Sequence, residues 1–290
     1  MQSINCITKI AKLFIKSNFT DLKDIAASYN RVSKNYEEVF LKEMHVYNEE
    51  MLKNLIINSS DKYIDKEISI LDLACGTGFN SNFLSKTFSK SNFTLVDISE
   101  GMLNEAKRNC IFKAKFIESD MLSYLKDCDD NSFDIVICAW AIKYQNPREI
   151  IKEVSRVLKS HGYFAVIVNL KSTLPEIRKI YPTLVMKNYK DITKLMKELP
   201  NPKNENNFKN WFIKNRFLVK KIKFGEHIFK FESANEAIDF VTTTGALAGF
   251  DNMINMQSNR VKDNMIDLFN NKEIKTITHK YIWGIFKNDK

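Results

Sequence analysis

Between residues 68 and 170 short apolar runs alternate with helical patterns, and that alternation constrains the fold of this 290-residue chain more than any other feature. The runs are ISILDLA (68–74), FTLVDI (93–98), AKFIESD (114–120), FDIVICA (133–139) and YFAVIVNL (163–170). Runs of this length, bounded by turn residues, read as buried strands. Between them lie SNFLSKTF (81–88), GMLNEAKRN (101–109) and PREIIKEVSRVL (147–158). The last is amphipathic and starts with Pro147, where the missing N–H would be unpaired in any case. Strands separated by helices form a parallel sheet with helices on both faces, so the expected class is α/β.

The flanks read differently. Residues 21–57 are helical, with Thr20 as an expected N-cap. Residues 171–216 are Lys-rich and broken by Pro175, Pro182, Pro200 and Pro202, which suggests an inserted helical cap. FLVKKIKF (217–224) and HIFKFES (227–233) read as two strands around Gly225. Helices follow over 234–244 and 258–270, and TITHKYIWGIFK (276–287) reads as a closing strand. The expected organisation is therefore a helical N-terminal lid (1–60), a core (61–170), a basic cap (171–216) and a segment completing the core sheet with strands six and seven (217–290).

Charge and cysteine usage narrow the function. The net charge is +9, and residues 171–232, with 15 basic and six acidic side chains, hold all of the excess. Such a segment steers acidic partners. No apolar run reaches the roughly 18 residues of a membrane span. The N-terminal stretch, with lysines scattered among its apolar residues, reads as an amphipathic helix rather than a signal peptide. The five cysteines form no CxxC and the four histidines do not cluster with them. That pattern predicts no metal site and a reducing cytoplasm.

The chemistry concentrates at strand tips. In LDLACGTGFN (71–80) a strand ends beside Asp72, and Gly76 and Gly78 lead into a helix whose free N–H groups face a ligand. Ser81 stands where a dinucleotide-binding turn has its third glycine, and Asp72 would repel a diphosphate. A carboxylate there suits a cationic amine or sulfonium. Asp97 lies 19 residues beyond Gly78, where a ribose-binding acid is expected. Asp120 at the third tip can accept from an exocyclic amine, with Met121, Ile98 and Met102 as apolar surface. Together these predict a nucleoside pocket along the carboxyl edge of the sheet.

LDLACGTGF, LVDISEGML, ESDML, FDIVICAWAIKY and EVSRVLKSHGYFAVI, in this order and spacing, resemble the class I S-adenosylmethionine-dependent methyltransferases. The resemblance implies a Rossmann-like sheet of seven strands, mostly parallel, the last antiparallel. It implies S-adenosyl-L-methionine as cofactor and S-adenosyl-L-homocysteine as product. The first loop, with Ala74 where the family often has Gly, would cradle the methionine part. Asp97 would bind ribose and Asp120 adenine, with Ala139 completing the cofactor-binding set. A narrower resemblance, to the malonyl-acyl-carrier-protein O-methyltransferases of biotin synthesis, rests on IAASYNRVSKNYEEVF (25–40), STLPEI (172–177), FESANEAIDFVTTTGA (231–246) and THKYIWGIF. It implies that Tyr36 closes over the methionine end of the cofactor near the acceptor. The fourth motif departs: Ala139, Lys143 and Tyr144 stand where relatives read Asn, Gln and Trp. Lys143 and Tyr144 then sit at the acceptor mouth, where Lys143 can pair with an acidic group. The expected acceptor is small or carrier-bound and acidic. The alternatives are a small-molecule O- or N-methyl acceptor and, with no RNP, KH or zinc signature to support it, RNA.

Overall fold

A computed structural model describes residues 2–33, 42–244, 247, 253–256 and 258–290. Tyr36 lies outside the described residues. Seven strands form one sheet: β1 (Ser69–Leu73), β2 (Asn92–Asp97), β3 (Ala114–Glu118), β4 (Phe133–Ala139), β5 (Leu158–Asn169), β6 (Phe217–Lys230) and β7 (Thr276–Asn288). Their spatial order is β3-β2-β1-β4-β5-β7-β6. β1 pairs in parallel with β2 and β4, β2 with β3, and β4 with β5, while β7 runs antiparallel to β5. The expected Rossmann-like architecture is what the chain adopts, and β1 and β4 meet where the strand order reverses. In open α/β sheets that point lies beside the ligand crevice, at the carboxyl ends of the strands.

The strand pattern follows from burial on both faces. Along β4, β5 and β7, residues alternate strictly between two cores. Val136, Cys138, Phe164, Val166 and Ile282 enter one; Ile135, Ile137, Ala165, Ile167 and Trp283 enter the other. The second core is roofed by α3 (Lys42–Tyr63), α4 (Phe79–Ser85) and α5 (Glu100–Asn109), through Met51, Leu52, Leu55, Leu84 and Leu103. The first is roofed by α6 (Met121–Asp127), α7 (Pro147–Val157) and α9 (Glu205–Ile213). Asp72 has the parity of Ile70, so β1 turns its carboxylate toward the α3–α4 side.

Two compact units result. One comprises 42–171, 199–225 and 280–290; the other comprises 1–41, 172–198 and 226–279. The expected boundaries differ from these. α3 packs into the sheet unit rather than belonging to a lid that ends at residue 60. The 171–216 segment is divided, because Phe208, Trp211 and Phe212 on α9 stack into the core against Phe164, Phe217 and Phe286. Their i, i+3, i+4 spacing was readable, but the surrounding lysines and prolines obscured it. β6 is one strand rather than two. A Cβ at Gly225 would lie 2.6 Å from the Tyr281 hydroxyl, so the glycine marks a close approach and not a turn.

The other unit contains α1 (Gln2–Ile15), α2 (Leu22–Val32), α8 (Pro175–Lys187), α10 (Ala234–Thr243) and α11 (Asn259–Asn271). The N-cap of α2 is Asp21, in a reciprocal capping box with Asp24, and not Thr20. The Asp24 carboxylate also accepts from Lys194 Nζ at 2.7 Å. Among the described residues no helix is long and apolar enough to cross a membrane, and no group of three His, Cys, Asp or Glu gathers where it could hold a metal ion.

Candidate functional site

The loop after β1 is left-handed at three residues: Ala74 (φ 54°), Gly76 (φ 55°) and Gly78 (φ 87°). The two glycines do different things. A Cβ on Gly78 would fall 2.6 Å from Cys110 Sγ, so Gly78 is forced by packing against α5. A Cβ on Gly76 would meet nothing within 4 Å. Gly76 therefore borders open space, which suits the close approach of a ligand to backbone. Ala74 holds a conformation costly for a residue with a side chain, and Cys75 N donates to Val96 O at 2.9 Å to hold it there.

Three carboxylates line the tips of β1, β2 and β3, and each is held differently. Asp72 is fully buried; its Oδ2 accepts from Ser81 Oγ at 2.7 Å while Oδ1 has no hydrogen-bond partner. Burial pushes its pKa up to about 7, against the lowering effect of the Ser81 bond. An orphaned carboxylate oxygen is costly, and a cationic ligand group would relieve it. Asp97 is 7% exposed and clamps the glycine loop: Gly76 N donates to Oδ2 and Ser99 N to Oδ1, both at 2.9 Å. Burial raises its pKa to about 6. Each oxygen keeps one lone-pair site, enough for two ribose hydroxyls.

Asp120 is the N-cap of α6. Its Oδ1 accepts from Leu122 N, Ser123 N and Gln145 Nε2 at 3.1, 3.0 and 2.6 Å. Burial pushes its pKa up, but the Ser123 and Gln145 bonds outweigh this and hold it below the ordinary value. Gln145 also accepts from Leu122 N, so it locks this tip. The sequence reading missed Gln145, although it adjoins the two residues singled out in the fourth motif.

The expected apolar surfaces are placed unequally. Met102 is 1% exposed, and Met121 is 6% exposed with its sulfur 3.7 Å from Cys138 Sγ, so both are largely covered by protein. Ile98 at the second tip is half-buried. Ala139 ends β4 at 9% exposure. Just beyond it Trp140 is left-handed (φ 62°), held by Trp140 N donating to Ile167 O at 2.7 Å. Its indole Nε1 donates to Asn48 Oδ1 at 2.8 Å, and Asn48 Nδ2 donates to Asn80 Oδ1, also at 2.8 Å. Asn48, on α3 and 4% exposed, thus ties the start of α4 to the tip of β4. No short-range pattern announced it.

Lys143 and Tyr144 lie in a single 3₁₀ turn after β4 (Ile142–Tyr144). Lys143 is 8% exposed, its Nζ donates to Asn169 Oδ1 at 2.5 Å and sits 5.1 Å from the Tyr144 ring centroid. Burial pushes its pKa down to about 7.

A methyltransferase-domain family matches residues 70–162. The malonyl-[acyl-carrier protein] O-methyltransferase of Priestia megaterium is 28% identical over 139 residues, 45% of this chain and 47% of that protein. The demethylmenaquinone methyltransferase of Staphylococcus aureus is 26% identical over 172 residues, 57% of this chain and 68% of that protein. The match to the first therefore spans about half of its length. Among solved structures, the YcgJ protein of Bacillus subtilis superposes with a TM-score of 0.55 at 16% identity, over 83% of this chain and 99% of its own. The MccD protein gives 0.52 at 20% identity, over 82% and 96%. These two likenesses concern the fold alone.

Proposed function

We propose that this chain, whose residues 70–162 match a methyltransferase-domain family, is a class I S-adenosylmethionine-dependent methyltransferase that methylates an acidic acceptor, small or carried on an acyl carrier protein, at a carboxylate oxygen. The observation that carries the cofactor half is the clamp between Asp97 and Gly76 beside the orphaned oxygen of Asp72. It pairs an open backbone cradle with two buried acids, the complement of a cationic amino acid joined to a nucleoside. The cofactor supplies an electrophilic methyl on a sulfonium; transfer to a carboxylate oxygen breaks one C–S bond, forms one C–O bond, and leaves a thioether and a neutral ester with no proton to move.

The protein's own work is then positioning and exclusion of water. Asp72 would hold the amine, Asp97 the ribose hydroxyls, and Asp120, oriented by Gln145, the adenine edge, with Ile98 against the ring. The backbone of Ala74, Gly76 and Gly78 would line the methionine end. An ionised carboxylate is already nucleophilic, so no general base is required.

Two observations support an acidic acceptor. The Priestia megaterium relative is named for a malonyl acyl-carrier substrate. The net positive charge of this chain falls within residues 171–232. A carrier protein is acidic, and such a segment would speed its encounter.

Intact mass spectrometry tests the reading. The protein is incubated with S-adenosylmethionine and malonyl-loaded acyl carrier protein, and the carrier is weighed. A gain of one methylene, at a rate that falls as salt is added, is the expected result. No gain, with S-adenosylhomocysteine binding intact by calorimetry, discards the carrier and moves the search to small acidic metabolites. Absence of S-adenosylhomocysteine binding discards the methyl-transfer reading itself.

A further inference from the structure

We propose that Lys143 and Asn169 form a cationic, donor-rich subsite that receives the carboxylate of the acceptor; the inference deepens the methyl-transfer reading above and rests on it. The placement comes from the sheet. β4 and β5 are parallel neighbours, with Ala139 opposite Ile167. Lys143 lies four residues past the end of β4, and Asn169 is the last residue of β5. Both residues therefore belong to the carboxyl edge, Lys143 one strand and Asn169 two strands from β1.

The hydrogen-bond inventory gives the ligand class. An asparagine amide offers one acceptor and one two-proton donor; a lysine offers donors alone. Here the single acceptor, Asn169 Oδ1, faces Lys143 Nζ. The groups the pair can still offer are the Asn169 amide N–H and the remaining Nζ hydrogens. Beyond these donors only the second lone pair of Asn169 Oδ1 is left to accept, so donors and positive charge dominate the pair. The complement is an acceptor-only group carrying a negative charge, and the carboxylate is the one a methyl donor can esterify.

The electrostatics agree. Lys143 and Asn169 are each 8% exposed. The Tyr144 ring stands beside the ammonium, but among the described residues no carboxylate acts on Lys143, and burial draws its pKa down to about 7. A buried cation without a counter-charge is held at a cost that an incoming anion removes. The ester product carries no charge and forfeits that attraction, so the same pair that collects the acid releases the ester. Because the acid's charge disappears during transfer, Lys143 stabilises the bound acid more than the transition state. Its loss should therefore raise KM and should not lower kcat.

The test uses the full chain labelled with ¹⁵N-lysine and sodium malonate as probe, with sodium chloride at matched ionic strength and neutral dimethyl malonate as controls. The Lys143 ammonium resonance is assigned by its loss in Lys143→Met. Malonate is expected to move that resonance, and neither control is. Asn169→Asp places a carboxylate of the protein's own against Lys143. It should bind S-adenosylhomocysteine as the wild type does, while malonate weakens at least about tenfold, the loss of one charge-assisted hydrogen bond. A Lys143 resonance indifferent to malonate, or full malonate affinity in both Asn169→Asp and Lys143→Met, overturns the inference. If malonyl-carrier is also methylated, the same two variants should raise KM without lowering kcat; an unchanged KM overturns it too. Failure of the wild type to bind S-adenosylhomocysteine would strike the methyl-transfer reading instead, and the malonate response would still report on the subsite.

Discussion

Asp97→Asn separates two duties of one carboxylate. In the fold, Asp97 accepts from Gly76 N and Ser99 N, and burial lifts its pKa from 3.8 to about 6. A shift of that size means that keeping the group ionised opposes folding by about 3 kcal/mol at pH 7.5. The amide removes this cost. Its nitrogen must then face one of the two backbone N–H groups, leaving that donor unpaired at about 1–3 kcal/mol. The terms nearly cancel, so urea unfolding should place the variant within about 2 kcal/mol of the wild type. A raised carboxylate pKa means that the native state binds protons more readily than the unfolded chain. The wild type should therefore gain about 1 kcal/mol on the variant between pH 7.5 and pH 5. Cofactor binding has no such compensation. Hydrogen bonds to a charged acceptor contribute about 1.5–3 kcal/mol, so the Kd for S-adenosylhomocysteine should rise about 10- to 150-fold by calorimetry. A Kd within about twofold of the wild type refutes the ribose assignment. A stability loss above about 4 kcal/mol would show instead that the carboxylate serves chiefly to hold the loop.

Three further outcomes follow from the same geometry. Asp72 has a pKa near 7 because it is buried, and a cationic amine favours its ionised form, so S-adenosylhomocysteine affinity should fall as pH drops from 8 to 6, with proton release; binding heats at pH 6.5 that do not depend on buffer ionisation would refute this. Asn48→Leu leaves Asn80 Oδ1 and Trp140 Nε1 without their partner and should cost about 2–4 kcal/mol, with a shifted Trp140 emission; an unchanged spectrum and midpoint would mean that the tie is dispensable. Gly78→Ala puts a methyl 2.6 Å from Cys110 Sγ at a φ of 87°, and a loss of about 1–3 kcal/mol in thermal unfolding is expected; Cys110→Ala in the same chain should recover the steric part and not the backbone part.

What the sequence made legible was whatever depends on short range. The five strands, the glycine turn and the three tip carboxylates are each written within ten residues, so their order alone implied the sheet and its ligand edge; the edge strand β3 is the one that is not buried as its apolar run suggested. What stayed hidden depends on contacts between distant segments. Asn48 precedes Trp140 by 92 residues, and the hydrogen bond between them exists because α3 roofs the sheet. α9 lies in a Lys-rich, Pro-punctuated segment that reads as a solvated cap, whereas Phe208, Trp211 and Phe212 enter the core. Gly225 looked like a turn because its partner, Tyr281, arrives from the last strand.

The two halves of the site differ in the same way, and the difference bears on how acceptor preference can change. The cofactor half is built from backbone N–H groups and from acids at fixed distances after glycine, so altering it disturbs the loop that Asp97 clamps. Lys143 and Asn169 come from separate strand ends and meet through one side-chain contact. Replacing either leaves the Gly76–Asp97 clamp and the Asp72–Ser81 bond untouched. Acceptor choice can therefore vary at this pair while the cofactor pocket stays constant. The departure of Lys143 from the family pattern falls at this proposed pair, apart from the Gly76–Asp97 clamp.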